Sequence, residues 1–316
     1  MTTSAAEEWI TAMHAADFER AWQISDRELR ERAARAAAKH SGPRHLQQIW
    51  HGEPLAGARV LVRCYHGLGD TLQFIRFAAP LSRIAREVIV WCQPKLMGLV
   101  SRVAGVHRVL PLHDGVVEAE FDVDIEIMEL PHALRITAAA LDRDVPYLAT
   151  PADPTREIKH ALQVGVVWEA GEWNPRRSIP PSLFAPLAAI SGVELPPLQP
   201  GAVIGGRVLR DLPSIDVLAT RMAGLDLIVS VDTMAAHLAG ALGFPVWTLL
   251  QADCDWRWGR VGDRSPWYPT MRLFRQVAPG DWSVPLLQLE RALKACREQW
   301  CAHEHRNECS PRRLLP

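Results

Sequence analysis

The sequence lacks a surplus of charge of either sign, a long apolar run and a dense cysteine pattern. Its 35 lysines and arginines balance 36 aspartates and glutamates, so no basic surplus favours nucleic-acid binding. No stretch of about 20 apolar residues is present, which argues against a transmembrane helix. Six cysteines in 316 residues do not form a disulfide framework. Cys64 and Cys92 lie in predicted buried strands, where a reduced thiol packs as a small hydrophobe.

The overall composition, 48% hydrophobic and 22% charged, is typical of a globular protein. The first residues, MTTSAAEEWITAMHAADFER, are polar and acidic and do not match a signal peptide. We therefore expect a cytoplasmic protein, and we leave open a peripheral contact with the inner membrane surface.

Strand patterns alternate with helical patterns along most of the chain, which predicts βαβ units, parallel sheets and an α/β fold. The predicted strands span 59–65, 88–92, 106–110, 121–127, 163–168, 193–195, 226–231 and 245–250. The predicted helices span 70–86, 94–103, 181–190, 214–223, 233–242 and 283–298. The strand at 121–127 alternates apolar and acidic residues, which places it at a sheet edge or mouth.

The domain prediction divides the chain into four parts. These are a helical segment at 1–55, a Rossmann-like acceptor domain at 56–150, a Rossmann-like nucleotide-sugar domain at 151–298, and a polar tail at 299–316. Residues 151–154, Pro-Ala-Asp-Pro, form the predicted linker. The segment 1–55 fits either a helical hairpin packed on the main body or the remnant of a helical-repeat array. The predicted loop at 251–282 is long enough to suggest a functional role.

The first of two strand-to-helix junctions contains Gly67, Gly69 and Asp70. It lacks the third glycine of the dinucleotide fingerprint, so a nicotinamide or flavin site is unsupported. The glycines permit a tight turn and close backbone approach by a ligand. Asp70 fits two roles, a cap of the helix start or a general base projecting into a cleft between the two domains.

The second junction contains Asp232 and Thr233, with His237 four residues further along the same helix face. Asp232 or Thr233 fits a helix cap, and His237 fits a structural role. Together, a helix N-terminus, a hydroxyl and an imidazole also suit a phosphate group.

Two loops that follow other predicted strands complete the candidate donor site. Arg177 fits either a surface arginine or a guanidinium directed at a diphosphate. Trp168 and Asp255 are assigned to a nucleoside pocket, with aromatic packing as the alternative for this tryptophan-rich region. In the tail, Cys296, Cys301, His303, His305 and Cys309 match no zinc spacing, so no metal site is predicted.

Together these residues resemble glycosyltransferase family 9, the ADP-heptose:lipopolysaccharide heptosyltransferase-like proteins, and within it the subgroup often fused to tetratricopeptide repeats. The resemblance covers roughly residues 43–295. It rests on four stretches in order: 66–74 (HGLGDTLQF), 164–168 with 177–179, 230–233 with 237–243, and 255–258 with 265–276.

This resemblance implies a GT-B fold, two Rossmann-like domains facing a cleft, and inverting sugar transfer without metal or cofactor. It assigns Asp70 as the base on the acceptor hydroxyl, and Arg177, Asp232, Thr233 and His237 as the phosphate site. The implied donor is a nucleotide-diphosphate sugar, ADP-heptose by resemblance, and the acceptor is a glycan or protein. The alternatives are a non-catalytic nucleotide-sugar-binding or partner-binding module on a decayed transferase fold, and an epimerase that acts on the donor alone.

Overall fold

The computed structural model describes residues 4–34, 43–47, 49–141, 145–150 and 160–304. The chain divides into two units, Met1–Ala149 and Thr150–Pro316. The predicted linker at 151–154, and His305 and Cys309 of the tail, lie outside the described residues. So do the side chains of Cys301 and His303.

Unit 1 is built around a parallel four-stranded sheet. Its strands are β1 (Arg59–Arg63), β2 (Glu87–Cys92), β3 (Arg108–Pro111) and β4 (Val123–Glu126). Its helices are α1 (Ala5–His14), α2 (Phe18–Ala34), α3 (Leu68–Phe74), α4 (Ala78–Ser82), α5 (Met97–Val100), α6 (Leu130–Ala133) and α7 (Ala138–Leu141). Short 3-10 turns span Arg44–Leu46, Ile75–Phe77, Pro94–Leu96 and Ile127–Glu129.

The strand order of this sheet is β3-β2-β1-β4, so β4 lies at an edge, as the alternation in 121–127 predicts. The central strands β1 and β2 consist of buried apolar runs with charged residues only at strand ends, as expected for inner strands of a parallel sheet. Cys64 and Cys92 are buried free thiols.

The N-terminal residues form a helical hairpin that packs on unit 1. Trp22 of α2 donates its indole N–H to the carbonyl of Ile136 at 2.7 Å. Asp26 of the same helix lies 2.8 Å from His132 and also binds Arg135. These contacts favour the packed hairpin over the remnant of a repeat array.

Unit 2 is built around a parallel five-stranded sheet. Its strands are β5 (Leu162–Val167), β6 (Val193–Glu194), β9 (Leu227–Val231), β10 (Val246–Leu250) and β11 (Met271–Arg275), and β7 (Val203–Ile204) pairs antiparallel with β8 (Arg207–Val208). Its helices are α8 (Ala185–Ala188), α9 (Ile215–Ala223), α10 (Met234–Ala241) and α11 (Ser283–Glu304). Its 3-10 turns span Pro175–Arg177, Pro181–Phe184 and Trp256–Trp258.

The order of the five-stranded sheet, β11-β10-β9-β5-β6, makes β10, β9 and β5 adjacent. Because all of its strands are parallel, the segments that follow these three strands meet at one carboxyl edge. Two sequence predictions are wrong in this unit. Strand β11 lies within the predicted loop 251–282, and α11 continues to Glu304, which takes up the first residues of the predicted polar tail.

The predicted α/β fold is confirmed. Among the described residues, no helix combines the length and apolarity needed to cross a bilayer.

Candidate functional site

The turn between β1 and α3 places Asp70 at the helix start. Gly67 precedes the helix in an extended conformation, and its N–H donates to Asp70 Oδ2 at 2.8 Å. A Cβ atom at position 67 would lie 3.1 Å from that oxygen, so glycine gives the carboxylate room to fold back. The capping contact proposed for Asp70 is therefore present. Gly69 is the second residue of α3.

A buried carboxyl group, Glu126, lies beside this turn at the end of the neighbouring strand β4. It is 3% exposed, and its Oε2 lies 3.8 Å from Nε2 of His66. Burial raises the pKa of Glu126 to about 8, and the charges of Glu129 and Asp70 add to the effect. Sequence reasoning did not single out Glu126. The sequence feature that could have identified it is the alternation of apolar and acidic residues in 121–127, which predicted a strand at a sheet edge or mouth.

In unit 2, the turn after β9 holds Asp232 and Thr233 immediately before α10. Thr233 is the N-cap residue with extended backbone, and its hydroxyl makes no capping bond, which leaves the helix N-terminus without a side-chain cap. Asp232 is 6% exposed. Burial raises the pKa of Asp232 to about 6, against the opposing effect of the Arg177 guanidinium.

Arg177 joins the segment after β5 to the turn after β9. It ends a 3-10 turn, and its guanidinium donates to the backbone carbonyl of Asp232 at 2.9 Å while lying 4.0 Å from Oδ2 of the same residue. The exposed ring of Trp173 lies 5.3 Å from the guanidinium carbon. Arg176, its neighbour in the chain, is exposed to solvent.

His237 lies on α10 in an aromatic enclosure. Its Nδ1 is 3.0 Å from the hydroxyl of Tyr268, and its ring stacks on Trp258 with centroids 5.1 Å apart. Burial lowers the pKa of His237 to about 3, and the charges of Arg257 and Arg177 lower it further. The imidazole is therefore neutral at pH 7, so it offers a hydrogen bond rather than a positive charge.

Arg257 is a buried cation that the sequence-based site omitted. It is 8% exposed, pairs with Asp255 at 2.9 Å and stacks on the ring of Trp256. Its charge lowers the pKa of both Asp232 and His237. The sequence could have pointed to Arg257, because the stretch 255–258 carries part of the resemblance to family 9.

The two residues assigned to a nucleoside pocket differ in position. Asp255 is partly exposed at the N-cap of the turn Trp256–Trp258, where it also holds Arg257. Trp168 is 3% exposed and its ring lies in the hydrophobic core of unit 2. This burial favours the packing alternative for Trp168 over a pocket wall.

The carboxyl edge of the unit 2 sheet thus gathers Arg177, Asp232, Thr233, His237 and Arg257 from the segments after three adjacent strands. Arg177 contacts the turn that holds the buried Asp232 at the N-terminus of α10, and the charge of Arg257 acts on the same carboxyl. Such a group of donors suits a polyanion of the size of a diphosphate. Within the described residues, no cluster of three or more His, Cys, Asp and Glu is placed to hold a metal ion.

Comparison with known proteins shows relatives in sequence and in fold. No family model matches the chain. The curated protein FlbA of Caulobacter vibrioides is 25% identical over 289 residues, which cover 78% of this chain and 48% of FlbA. The chain therefore spans about half the length of that relative.

The solved structures that share the fold include a family 9 protein and a heptosyltransferase. A glycosyl transferase family 9 protein from Veillonella parvula aligns at a TM-score of 0.50 and 12% identity, over 77% of this chain and 97% of that one. ADP-heptose lps heptosyltransferase II from E. coli aligns at a TM-score of 0.52 and 15% identity, over 76% and 99% of the respective chains. The chain therefore has the GT-B fold of solved heptosyltransferase structures.

Proposed function

We propose that this protein is a glycosyltransferase that moves a sugar from a nucleotide-diphosphate donor to a saccharide or protein acceptor, with inversion and without a metal. The observation that carries the proposal is the contact of Arg177 with the turn Asp232–Thr233 at the start of α10, with the buried Arg257 on the segment that follows the adjacent strand β10. The fold shared with a family 9 glycosyl transferase and with a heptosyltransferase supports it.

Unit 2 would bind the donor through its diphosphate. As the glycosidic bond breaks, negative charge grows on the phosphate oxygen that leaves. Two guanidinium groups and the backbone N–H groups of α10 stabilise that charge, so no cation is needed. Neutral His237 adds a hydrogen-bonding group rather than a third positive charge.

Unit 1 would activate the acceptor through Asp70. The acceptor oxygen forms a bond to the anomeric carbon and loses its proton to the Asp70 carboxylate. The bond between that carbon and the phosphate oxygen breaks, and the nucleoside diphosphate leaves with the electron pair. A carboxylate has two oxygens, so the contact of Oδ2 with Gly67 is compatible with base catalysis by the same group.

The first donor to test is ADP-heptose, because an ADP-heptose lps heptosyltransferase is among the structures that share the fold. A role in lipopolysaccharide biosynthesis in the cytoplasm, at the inner membrane surface, would follow from that donor. A protein acceptor is the alternative to a glycan.

The test is release of nucleoside diphosphate from ADP-, UDP- and GDP-sugars, with and without candidate acceptors. Acceptor-dependent release that is lost in Asp70→Asn supports the transferase. Binding of a nucleotide sugar with no turnover under any condition supports a non-catalytic binding module, a function that the capping contact of Asp70 also permits. Conversion of the donor alone into an isomeric nucleotide sugar would identify an epimerase.

A further inference from the structure

Arg275, the last residue of β11, is a charged side chain that the proposed reaction does not yet use. Its guanidinium donates to three backbone carbonyls of the segment after β10, those of Gly259 at 3.0 Å, Gly262 at 2.9 Å and Trp258. Because an arginine presents its N–H groups in a rigid planar fork, three contacts from one side chain fix the course of this backbone. We call residues 254–262 the anchored loop.

Two glycines give the anchored loop its shape. Gly259 has a φ of +65° and Gly262 a φ of +84°, both in the left-handed region that favours glycine. They let the chain turn so that the carbonyls of both residues reach Arg275. The thiol of Cys254 donates to the carbonyl of Gly259 at 3.5 Å and accepts from Arg275 at 3.4 Å. The two ends of the anchored loop therefore meet at one guanidinium.

Gln276, the residue after Arg275, holds the chain just before the anchored loop. Its side chain is buried, and its Oε1 accepts the backbone N–H of Ala252 at 3.2 Å and that of Gly280 at 3.1 Å. Strands β10 and β11 are parallel neighbours, so the segments that follow them lie at the same edge of the sheet. Two consecutive residues at the end of β11 thus hold the segment that follows β10.

The anchored loop carries side chains that belong to the proposed donor site. Arg257 is buried in it and pairs with Asp255 at 2.9 Å. Trp258, whose carbonyl Arg275 holds, stacks on the ring of His237 of α10 with centroids 5.1 Å apart. The backbone beside Arg257 is therefore fixed both by the helix that begins at the candidate phosphate-binding turn and by the end of β11.

We propose that Arg275 is a positioning residue for the donor: it fixes the anchored loop so that the Arg257 guanidinium is held where the donor diphosphate binds. This inference rests on the proposed transferase function. Arg275 contacts backbone carbonyls of the protein and acts on the donor through Arg257. A guanidinium that is fixed before the ligand arrives loses less conformational entropy on binding, which raises the affinity for the diphosphate.

The first experiment measures binding of ADP, UDP and GDP by isothermal titration to the wild type and three variants. Arg275→Lys keeps the positive charge but replaces the planar fork by a single ammonium group. Gly259→Ala disturbs the same contact from the loop, because alanine is strained at a φ of +65°. Arg272→Lys is the matched control, since Arg272 lies on the same strand but pairs with the exposed Asp263 at 3.2 Å.

We expect Arg275→Lys and Gly259→Ala to raise the Kd of the nucleoside diphosphate about 3- to 10-fold, as when a ligand must itself order one long side chain. Arg272→Lys should bind like the wild type. The corresponding nucleosides should bind equally to the wild type and all three variants, because they lack the phosphates that Arg257 would contact. A merely structural role would not produce this selectivity for phosphate. Wild-type affinity for the nucleoside diphosphate in both folded variants, or an equal loss for the nucleosides, overturns the inference.

A double-mutant cycle tests whether Arg275 acts through Arg257. In the background of Arg257→Gln, Arg275→Lys should change the Kd by less than about 2-fold, because the residue that it positions is already missing. In the background of Arg177→Ala it should keep its full effect, since Arg177 is held by the carbonyl of Asp232 on a different segment. An undiminished effect in the Arg257→Gln background overturns the inference.

The two failures are distinct. If the wild type binds a nucleoside diphosphate and the Arg275 variant binds it equally well, this inference alone is wrong. If the wild type binds none of the three nucleoside diphosphates, the donor site on which the proposed function depends is wrong, and the positioning role of Arg275 fails with it.

Discussion

Arg177 donates from its guanidinium to the backbone carbonyl of Asp232 at 2.9 Å, which ties the segment after β5 to the turn that begins α10. These residues are 55 positions apart in the chain. The contact fixes a long side chain before any ligand arrives, so less conformational entropy is lost on binding an anion. It also places positive charge beside the N-terminus of a helix.

Replacing Arg177 by alanine should weaken nucleoside-diphosphate binding by about 1.5–3 kcal/mol, roughly 10- to 100-fold in Kd, because a charged contact to phosphate is lost. Arg176→Ala is the matched control, since the exposed Arg176 side chain makes no part of the site. Isothermal titration with ADP, UDP and GDP measures both variants. Equal affinity in the wild type and both variants would place the phosphate site elsewhere.

Asp70→Asn should reduce transfer by about 100-fold or more, in the range of a lost general base. The melting temperature should stay close to that of the wild type, because the asparagine side-chain oxygen still accepts the Gly67 N–H. Calorimetry measures the melting temperature, and the rate of transfer per folded molecule measures catalysis, so the two experiments separate a loss of stability from a loss of activity. A variant that melts much earlier yet keeps full activity per folded molecule would show that Asp70 is only a cap.

Activity should survive exhaustive treatment with EDTA, because Arg177, Arg257 and the N-terminus of α10 supply the positive charge that a metal would otherwise provide. The rate of transfer is measured before and after dialysis. The sequence 253–255, Asp-Cys-Asp, is the alternative metal clamp. Recovery of a lost rate only on addition of Mn²⁺ or Mg²⁺ would identify it as such.

The neutral, buried state of His237 should make stability depend on pH in the acid range. Its pKa in the folded protein is lowered from 6.5 to about 3, so below pH 6.5 the unfolded chain binds a proton that the folded chain excludes. The contribution of neutral His237 to the free energy of unfolding is complete above pH 6.5, and it is lost as the pH falls toward 3. Between pH 7 and pH 4.5 the loss is on the order of 2–3 kcal/mol.

Urea unfolding of the wild type and of His237→Gln at pH 7 and at pH 4.5 isolates the contribution of His237 to the pH dependence of stability. The raised pKa of Asp232 has the opposite sign and adds stability on acidification, but it is present in both proteins and cancels approximately in the comparison. The exposed His45 provides the control variant His45→Gln, which should titrate like the wild type. Parallel pH dependence in the wild type and His237→Gln would contradict the proposed neutral state.

The sequence alone determined the order and type of most elements. Buried parallel strands are continuous apolar runs, so β1, β2, β5, β9 and β10 were recognisable without any neighbours. It also located both strand-to-helix junctions, because glycine, aspartate and threonine at a helix start have local conformational causes. The candidate base and the candidate phosphate-binding turn followed from these positions.

Some element boundaries were predicted wrongly although their cause is local. The predicted helix 70–86 is broken into α3, the turn Ile75–Phe77 and α4, since Pro80 has no N–H to donate to the preceding turn. Other elements depend on contacts with distant residues, which a local pattern does not show. Strand β11 alternates polar and apolar residues weakly within an aromatic segment, and only pairing with β10 makes it a strand.

The tertiary structure alone decided which polar side chains became buried neighbours. Trp168 belongs to the core cluster of unit 2, and Arg257 is held by Asp255 and Trp256. Glu126 faces His66 because β4 pairs with β1, although 60 residues separate them in the chain. Burial and electrostatic coupling depend on such long-range pairing, and no local property of the sequence specifies it.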